Sequence, residues 1–493
     1  MTIPFKNIPQ NLRVPLFYAE VDNSQANTGQ INQRSLIVAQ MLGSGTATPG
    51  IPVISQGAIA DKAAFGQGSV AALMVAAYRG NDNFGELWVL PLADDGAATA
   101  ATGSVSFTGP AAATGVVSLY IAGVLVSQAV TTGQTATQIA TNLVATINGI
   151  NDLSVTAATS GFTVLLTAKN RGPNGNEIDL RVNYQGAAGG EAVPAGVGIS
   201  LSAMTGGATA PSLTTPFLNL GDQPFDFIAF PYTDTNSLDA LKGLLGDITG
   251  RWSWAKQIYG GGFAATRGTL GALTTFGTAR NDQHVSVMGF NDSPSPAWIW
   301  AAALTGAAAN SLRVDPALPL QTLPIAGVRA PPLQSRFVLS DRNVLLWDGV
   351  STFTVDPGGT VRIENLITTY QQNAYGQPDN SYLEIETLFT LAYVLRRMRS
   401  AITSKYSRMK LASDNTRFAA GSGIVTPKII KAELIAEYRQ MESEGYVQNG
   451  DTFKTGLIVQ QNATNPNRVD VLWPGILIDQ LRIFAVLAQF RLV

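Results

Sequence analysis

The sequence predicts an α/β plus β fold, and three observations carry that reading. Apolar strand-like runs alternate with segments of helical period in two separate blocks; a stretch of hairpin-like sequence lies between the blocks; and an apolar stretch near each end stands apart from both patterns. Strand–helix alternation builds a largely parallel sheet, because parallel strands need a crossover that a helix supplies. Consecutive runs joined by tight turns build antiparallel sheet instead.

Taken in order, VPLFYAEVDNS (14–24) reads as a strand, and the Asn- and Gln-rich QANTGQINQ separates it from the rest, giving an arm and linker over 1–33. The α/β rhythm starts with the strand SLIVAQML, a helix from Gly68 to Tyr78 and the strand ELWVLPL (86–92). It resumes with FDFIAFPY (225–232), the helix SLDALKGLLGDI, the short strand QIYGGGF, the helix TRGTLGALTTFGTAR, the strand HVSVMGF and the helix AWIWAAALTGAAANSL. Residues 34–93 and 212–338 are therefore expected to form one discontinuous α/β middle domain.

The insert, 94–211, lies between the linker-like LADDGAATAATG and MTGGATAPS, which read as flexible necks. It is expected to be mostly antiparallel: SVSFTG, a hairpin turning at Ala122-Gly123, a helix capped by Thr135, a hairpin turning at Ser160-Gly161, then EIDLRVNY and GISLSAM. After a Pro-rich connector, 339–475 reads as an α+β domain. There LLWDGVSTFTVDPGGTVRIENLITTY predicts a hairpin turning at Pro357-Gly358-Gly359, followed by a helix from about Tyr382 to Tyr406. The stripe Leu388, Leu391, Leu395, Met398 and Ile402 on that helix is expected in the core. A second helix has Thr426 as N-cap and Pro427 in its first turn. The strands TGLIVQQ and RVDVLW follow, joined by ATNPN, and a break at Pro474-Gly475 precedes a C-terminal arm over 476–493.

The search for chemistry returns little. Cysteine is absent, which excludes disulfides, thiolate metal sites and cysteine nucleophiles. His284 is the single histidine, too few for a His-based metal cluster, and it reads as a strand-end residue rather than a general base. The loop GSGTATPG (43–50) gives G-x-G-x-x-x-x-G, the wrong spacing for a dinucleotide turn, and no P-loop motif occurs. The pair Asp94-Asp95 sits in a neck where solvation is the default. No catalytic, cofactor-binding or metal site is therefore expected, although paired carboxylates acting without His or metal stay open.

Charge is sparse. Lys+Arg 32 against Asp+Glu 34 leaves a net charge of -2, and charged residues are 13% of the chain, against about 25% for average globular proteins. A weakly charged surface rich in Gly, Ala and Thr suits a subunit covered by neighbours, as well as an enzyme with a bland exterior. Arg396, Arg397, Arg399, Lys405, Arg408 and Lys410 crowd one end of the long helix, where they complement the helix dipole or meet an acidic partner. No aromatic residues interleave with them, which argues against nucleic acid. The N-terminus lacks a Sec-type signal, and the apolar runs AALMVAA (71–77) and WIWAAAL (298–304) fall below the roughly 18 residues of a membrane span. The chain reads as cytoplasmic when made.

The stretch LRIFAVLAQFRLV (481–493) is apolar on both faces: Phe484, Val486, Ala488, Phe490 and Leu492 on one, Leu481, Ile483, Ala485 and Leu487 on the other. Such a strand demands burial on both sides, either in its own sheet or by addition to a neighbour's. Left unpaired it would aggregate.

Several stretches together, IPQNLRVPLFYAEVDNSQA, NQRSLIVAQMLGSGTATPGIPV, LLWDGVSTFT, ITTYQQNAYGQPDNSYLEIETLFTLAYVLRRMRS and LRIFAVLAQFRLV, resemble the tail sheath subunit of Mu-like contractile phages and prophages. The resemblance keeps its order over nearly the whole chain and is weakest in the insert. It implies a structural protein without cofactor, made in the host cytoplasm and resident in the phage tail. Subunits of that family polymerise helically with copies of themselves around a tail tube protein, meet baseplate and terminator proteins, and contract to drive the tube through the host envelope.

The resemblance further implies that both arms add strands to sheets of adjacent subunits. In this sequence they would carry Val14, Leu16, Phe17, Tyr18 and Val21 at one end and Leu481, Ile483, Phe484, Val486, Leu487, Phe490 and Leu492 at the other. TGLIVQQ and RVDVLW would receive them, the C-terminal region would lie toward the tube and the insert would face outward. A non-contractile surface or fibre protein, and an α/β enzyme with a decorating domain, are the competing readings.

Overall fold

The computed structural model describes residues 33–419 and 421–491. The first α/β block supplies β1 (Ser35–Gln40), β2 (Val53–Ile54), α1 (Ala58–Phe65), α2 (Val70–Arg79) and β3 (Leu87–Leu92). The insert supplies β4 (Thr102–Thr108), β5 (Gly115–Ile121), β6 (Val124–Val130), α3 (Ala136–Gly149), β7 (Val155–Ser160), β8 (Thr163–Ala168), β9 (Leu180–Val182) and β10 (Gly198–Thr205). The second block adds α4 (Thr214–Asn219), β11 (Phe227–Ala229), α5 (Thr235–Leu245), β12 (Gly261–Arg267), α6 (Leu270–Thr278), β13 (Val285–Phe290) and α7 (Ala297–Val314).

The two blocks build one six-stranded sheet, ordered β13-β12-β11-β1-β3-β2. All its pairings are parallel except β2 with β3. The expected parallel sheet is thus present, and it is continuous in space although the insert divides it in sequence. Its central strand is sandwiched. Ile37 and Ala39 face a core shared with α2 and α7, where Trp300 stacks on Phe290 at 4.7 Å; Leu36 and Val38 face a second core with Phe230 and with Leu238, Leu241 and Leu245 of α5. Burial on both faces is why SLIVAQ reads as an unbroken apolar run.

The strand expected at QIYGGGF begins later, at Gly261. Its glycines are packing choices: a Cβ on Gly262 would lie 2.8 Å from Leu241 Cδ2, and one on Gly261 would lie 3.3 Å from the Phe389 ring. Helix α6 is correspondingly shorter than expected, starting after Thr269, whose hydroxyl accepts from Ala272 N at 3.4 Å.

In the insert, the antiparallel sheets β10-β4-β8-β7 and β6-β5-β9 enclose a core of Val105, Phe107, Leu119, Leu143, Val164 and Leu166, closed by α3. Ala122 (φ 52) and Gly123 (φ 80) form the two-residue turn between β5 and β6, where both positions need positive φ. The second hairpin turns one residue later than expected, at Gly161-Phe162, because Ser160 pairs with Thr163. Thr135 caps α3 in a reciprocal arrangement with Gln138.

The necks are tied down, contrary to their linker-like composition. Asp94 accepts from Gln40 Nε2 (2.7 Å), Asn170 Nδ2 (3.0 Å) and Arg171 N (2.9 Å), and Asn170 also accepts from Val70 N (3.0 Å). Lys62 meets Asp152 at 2.7 Å. Asp94 is therefore a junction residue linking insert to host, and the expectation that it is merely solvated does not hold.

Further along lie α8 (Leu339–Trp347), β14 (Thr352–Val355), β15 (Val361–Asn365), α9 (Ile385–Tyr406), β16 (Lys410–Leu411) and β17 (Ile424–Val425). They are followed by α10 (Pro427–Ser443), β18 (Val447–Gln448), α11 (Gly450–Gly456), β19 (Ile458–Gln461), β20 (Val469–Leu472) and β21 (Ile476–Leu477). The hairpin at Pro357-Gly358-Gly359 forms between β14 and β15, but the LLW that precedes it belongs to α8, with Leu345 packed against Leu273 and Val350. Of the stripe on α9, Leu388 is buried while Leu391, Leu395, Met398 and Ile402 are only half-buried in the single chain.

The chain divides into two compact units. One comprises residues 394–443 and 449–475, the other 33–393, 444–448 and 476–491 among the described residues. In the first, Tyr438 of α10 stacks on Phe453 of α11 at 3.7 Å and Trp473 packs against both rings.

Candidate interaction arm and its root

The larger unit ends in a segment that is anchored at one end and bare at the other. Its root is β21, paired antiparallel with β18 through Val447↔Leu477 and Gln448↔Ile476. Ile478 N donates to Tyr446 O (3.1 Å), and Gln448 Nε2 donates to Leu477 O (3.0 Å) and Asp479 Oδ2 (2.9 Å). Gln321 Nε2 donates to Leu481 O at 3.2 Å. Arg482 then reaches back to the start of α9, placing Nη2 2.8 Å from Glu384 Oε2 and 2.6 Å from Glu386 Oε2.

Beyond Arg482, no ladder hydrogen bond among the described residues reaches 483–491. Among the described residues 483–491 pair with no strand, so LRIFAVLAQF is not part of any described sheet. Ile483, Phe484, Leu487 and Phe490 are each more than four-fifths exposed, and Leu481 and Val486 about 70%. Burying six such side chains is worth on the order of 10 kcal/mol, at about 1.5–3 kcal/mol for a full burial of each. Of the residues expected in the arms, Val14, Leu16, Phe17, Tyr18, Val21 and Leu492 lie outside the described residues.

In the smaller unit, β19 and β20 pair antiparallel from Ile458↔Leu472 to Gln461↔Val469. The connecting turn is held by Asn462, whose Oδ1 accepts from Thr464 N (3.0 Å) and Asn465 N (2.9 Å). Among the described residues neither outer edge of this pair carries a ladder, and Ile458, Val471 and Leu472 are exposed. An unpaired edge with apolar neighbours is a template for a further strand.

The basic cluster is partly consumed within its own chain. Arg397 Nε lies 2.5 Å from Glu437 and Lys405 Nζ 2.5 Å from Glu433, both on α10. Arg399, Arg408 and Lys410 are exposed, and Arg396 is half-buried. The cluster thus helps fasten α9 to α10, a role the dipole argument did not anticipate.

The remaining candidates fold into structure. The amides of the 43–50 loop are bonded to the chain, Ala47 N to Ala64 O (2.9 Å) and Gly50 N to Pro91 O (2.6 Å), and a Cβ on Gly45 would lie 2.8 Å from Phe65 C. His284 is buried, stacked on Trp252 at 4.6 Å with Nε2 3.2 Å from Asp247. Among the described residues no group of His, Asp and Glu could hold a metal, and no helix is long and apolar enough to cross a membrane.

Sequence reasoning missed Arg482, Glu384 and Glu386. The available signal was Arg482 near the start of an apolar run, a cation that a two-faced strand has no use for.

The phage tail sheath protein central domain matches residues 206–369, and the phage tail sheath C-terminal domain matches 377–491. A Mu-like prophage FluMu tail sheath protein of Haemophilus influenzae is 41% identical over 494 residues, covering 100% of both chains. Sheath tail proteins of known structure are similar at greater distance. One from Desulfitobacterium hafniense has 14% identity and a TM-score of 0.49 over 95% of this chain and 97% of its own; one from Listeria innocua has 13% identity and 0.48 over 92% and 94%. On the full-length identity and the two domain matches, the chain belongs to the phage tail sheath family, which is structural and not enzymatic.

Proposed function

We propose that this sheath protein polymerises with copies of itself in a helical array around a tail tube, each arm adding a strand to a neighbour's sheet, and that the array contracts by rigid-body rearrangement. The observation that carries the reading is the unpaired, apolar arm at 483–490. It supplies ladder donors and acceptors and two apolar faces, and the edge of the β19–β20 pair supplies a matching template. A hook on one surface and its receiver on another make a heterologous contact, which generates open helices rather than closed dimers.

Main-chain ladders are indifferent to how the bodies they connect are oriented. Bodies can therefore rotate and slide while the mesh persists, with the energy for contraction stored when subunits assemble. The tube, baseplate and terminator proteins are the further partners this role requires.

Electron microscopy of the full chain beside a chain truncated after Arg482 tests the reading. Tubes, helical polymers or large oligomers are expected from the first and dispersed, folded subunits from the second. A full-length chain that stays monomeric at high concentration, with 483–490 protected from hydrogen exchange, would overturn it.

A further inference from the structure

We propose that Arg482 is a latch that fixes the root of the arm to the body of its own subunit, so that the exchanged hook begins at Ile483 and leaves in a preset direction. The inference rests on the reading of the arm as an intersubunit hook.

Three contacts define the latch. Arg482 Nη2 is shared between Glu384 Oε2 and Glu386 Oε2. Glu386 is fully buried, and its other oxygen accepts from Leu320 N at 2.8 Å. The neighbouring Gln321 donates to Leu481 O. The backbone and the side chain at consecutive arm positions are thus held by one short segment, Leu320-Gln321, and the first turn of α9.

The chemistry calls for a cation: Nη2 of Arg482 carries both carboxylates, while its Nε and Nη1 are buried without a hydrogen-bond partner among the described residues. Two carboxylates converge on one nitrogen, one of them without access to water, where a carboxylate stays ionised only beside a cation and otherwise takes up a proton. Burial pushes the Glu386 carboxyl above its ordinary value, and Arg482 opposes that shift. Arg482 itself is only 15% exposed. A cation placed for solubility on an exposed apolar arm would point into water; this one turns inward.

The consequence for assembly is preorganisation. With the latch closed, freedom starts at Ile483; with it open, the segment beyond Asp479, which Gln448 still holds, is released, and docking the hook must order three more residues. The concentration needed for assembly should then rise by roughly a hundredfold or more.

The chain has no cysteine, so a single nitroxide on Leu481→Cys, whose side chain is exposed, reports root mobility in full-length subunits below the assembly threshold. Four proteins are compared: the parent, R482M, the double variant R482M/E386Q and R482K. The double variant leaves no unpaired buried charge, so it carries the test if R482M fails to fold. The expected result is an immobile label in the parent, a mobile one in the double variant with a raised assembly threshold and an almost unchanged thermal midpoint, and partial recovery of both in R482K. An equally immobile label in the double variant, or an unchanged threshold, overturns the latch while leaving the hook intact. Assembly of the chain truncated after Arg482 overturns the hook itself.

Discussion

β1 and the arm carry the same signature, apolar side chains on both faces, and meet opposite fates. Leu36, Ile37, Val38 and Ala39 are fully buried, whereas Ile483, Phe484, Leu487 and Phe490 stand more than four-fifths exposed. A two-faced apolar strand states a demand for burial, and the pattern does not say which molecule meets it. What separates the two is the surroundings. β1 has strands on both edges and α2 and α7 on one face, while the arm has an anchored root and, among the described residues, no ladder beyond Arg482.

The largest effect expected from breaking this contrast is removal of the hook. Truncation after Arg482 should abolish assembly and leave the thermal midpoint of the subunit nearly unchanged, measured by sedimentation and by circular dichroism.

Point substitutions sharpen the same contrast. Trp300→Ala, in the core over the parallel sheet, should cost about 3–5 kcal/mol in chemical denaturation, whereas Phe484→Ala should change unassembled stability by no more than about 0.5 kcal/mol and act on assembly instead. A midpoint shift from F484A as large as that from W300A would show that the arm packs at home.

Asp82 offers a pH test within the core. Burial raises its pKa, but hydrogen bonds from Tyr78 (2.5 Å) and Arg313 (2.9 Å) outweigh that and hold it below the usual carboxylate range. A depressed folded pKa contributes stability above the unfolded value and loses it as pH falls through the folded one. Asp82→Asn should therefore cost about 1.5–3 kcal/mol at pH 7, and its penalty should shrink in denaturation curves taken near pH 3.

The smallest effect is local. Thr135→Ala removes the cap of α3 and should cost about 1 kcal/mol without altering assembly, since the insert keeps its own core.

Much of the fold was legible because its signals are short-range. Ala122-Gly123 announces a hairpin by the φ it needs, Thr135 and Thr426 announce helix starts, and SLIVAQ announces a doubly covered strand. The failures share a cause. QIYGGGF read as a strand from Gln257, whereas the strand starts at Gly261, because the role of Gly261 and Gly262 is to admit Phe389 and Leu241 from distant parts of the chain. Asp94 read as solvated because its partners Gln40 and Asn170 lie 54 and 76 residues away. Arg482 and Glu386 are 96 residues apart, so neither periodicity nor composition could pair them. The apolar arm is visible in the sequence as an unmet demand, and its exposure emerges only in the folded chain.

Hydrogen exchange on full-length chain before and after assembly tests the central claim most directly. Amides of 483–490 should exchange fast in dispersed subunits and become protected in the polymer, together with one edge of β19 or β20. Protection of 483–490 already present in dispersed subunits, or none gained on assembly, would contradict the account.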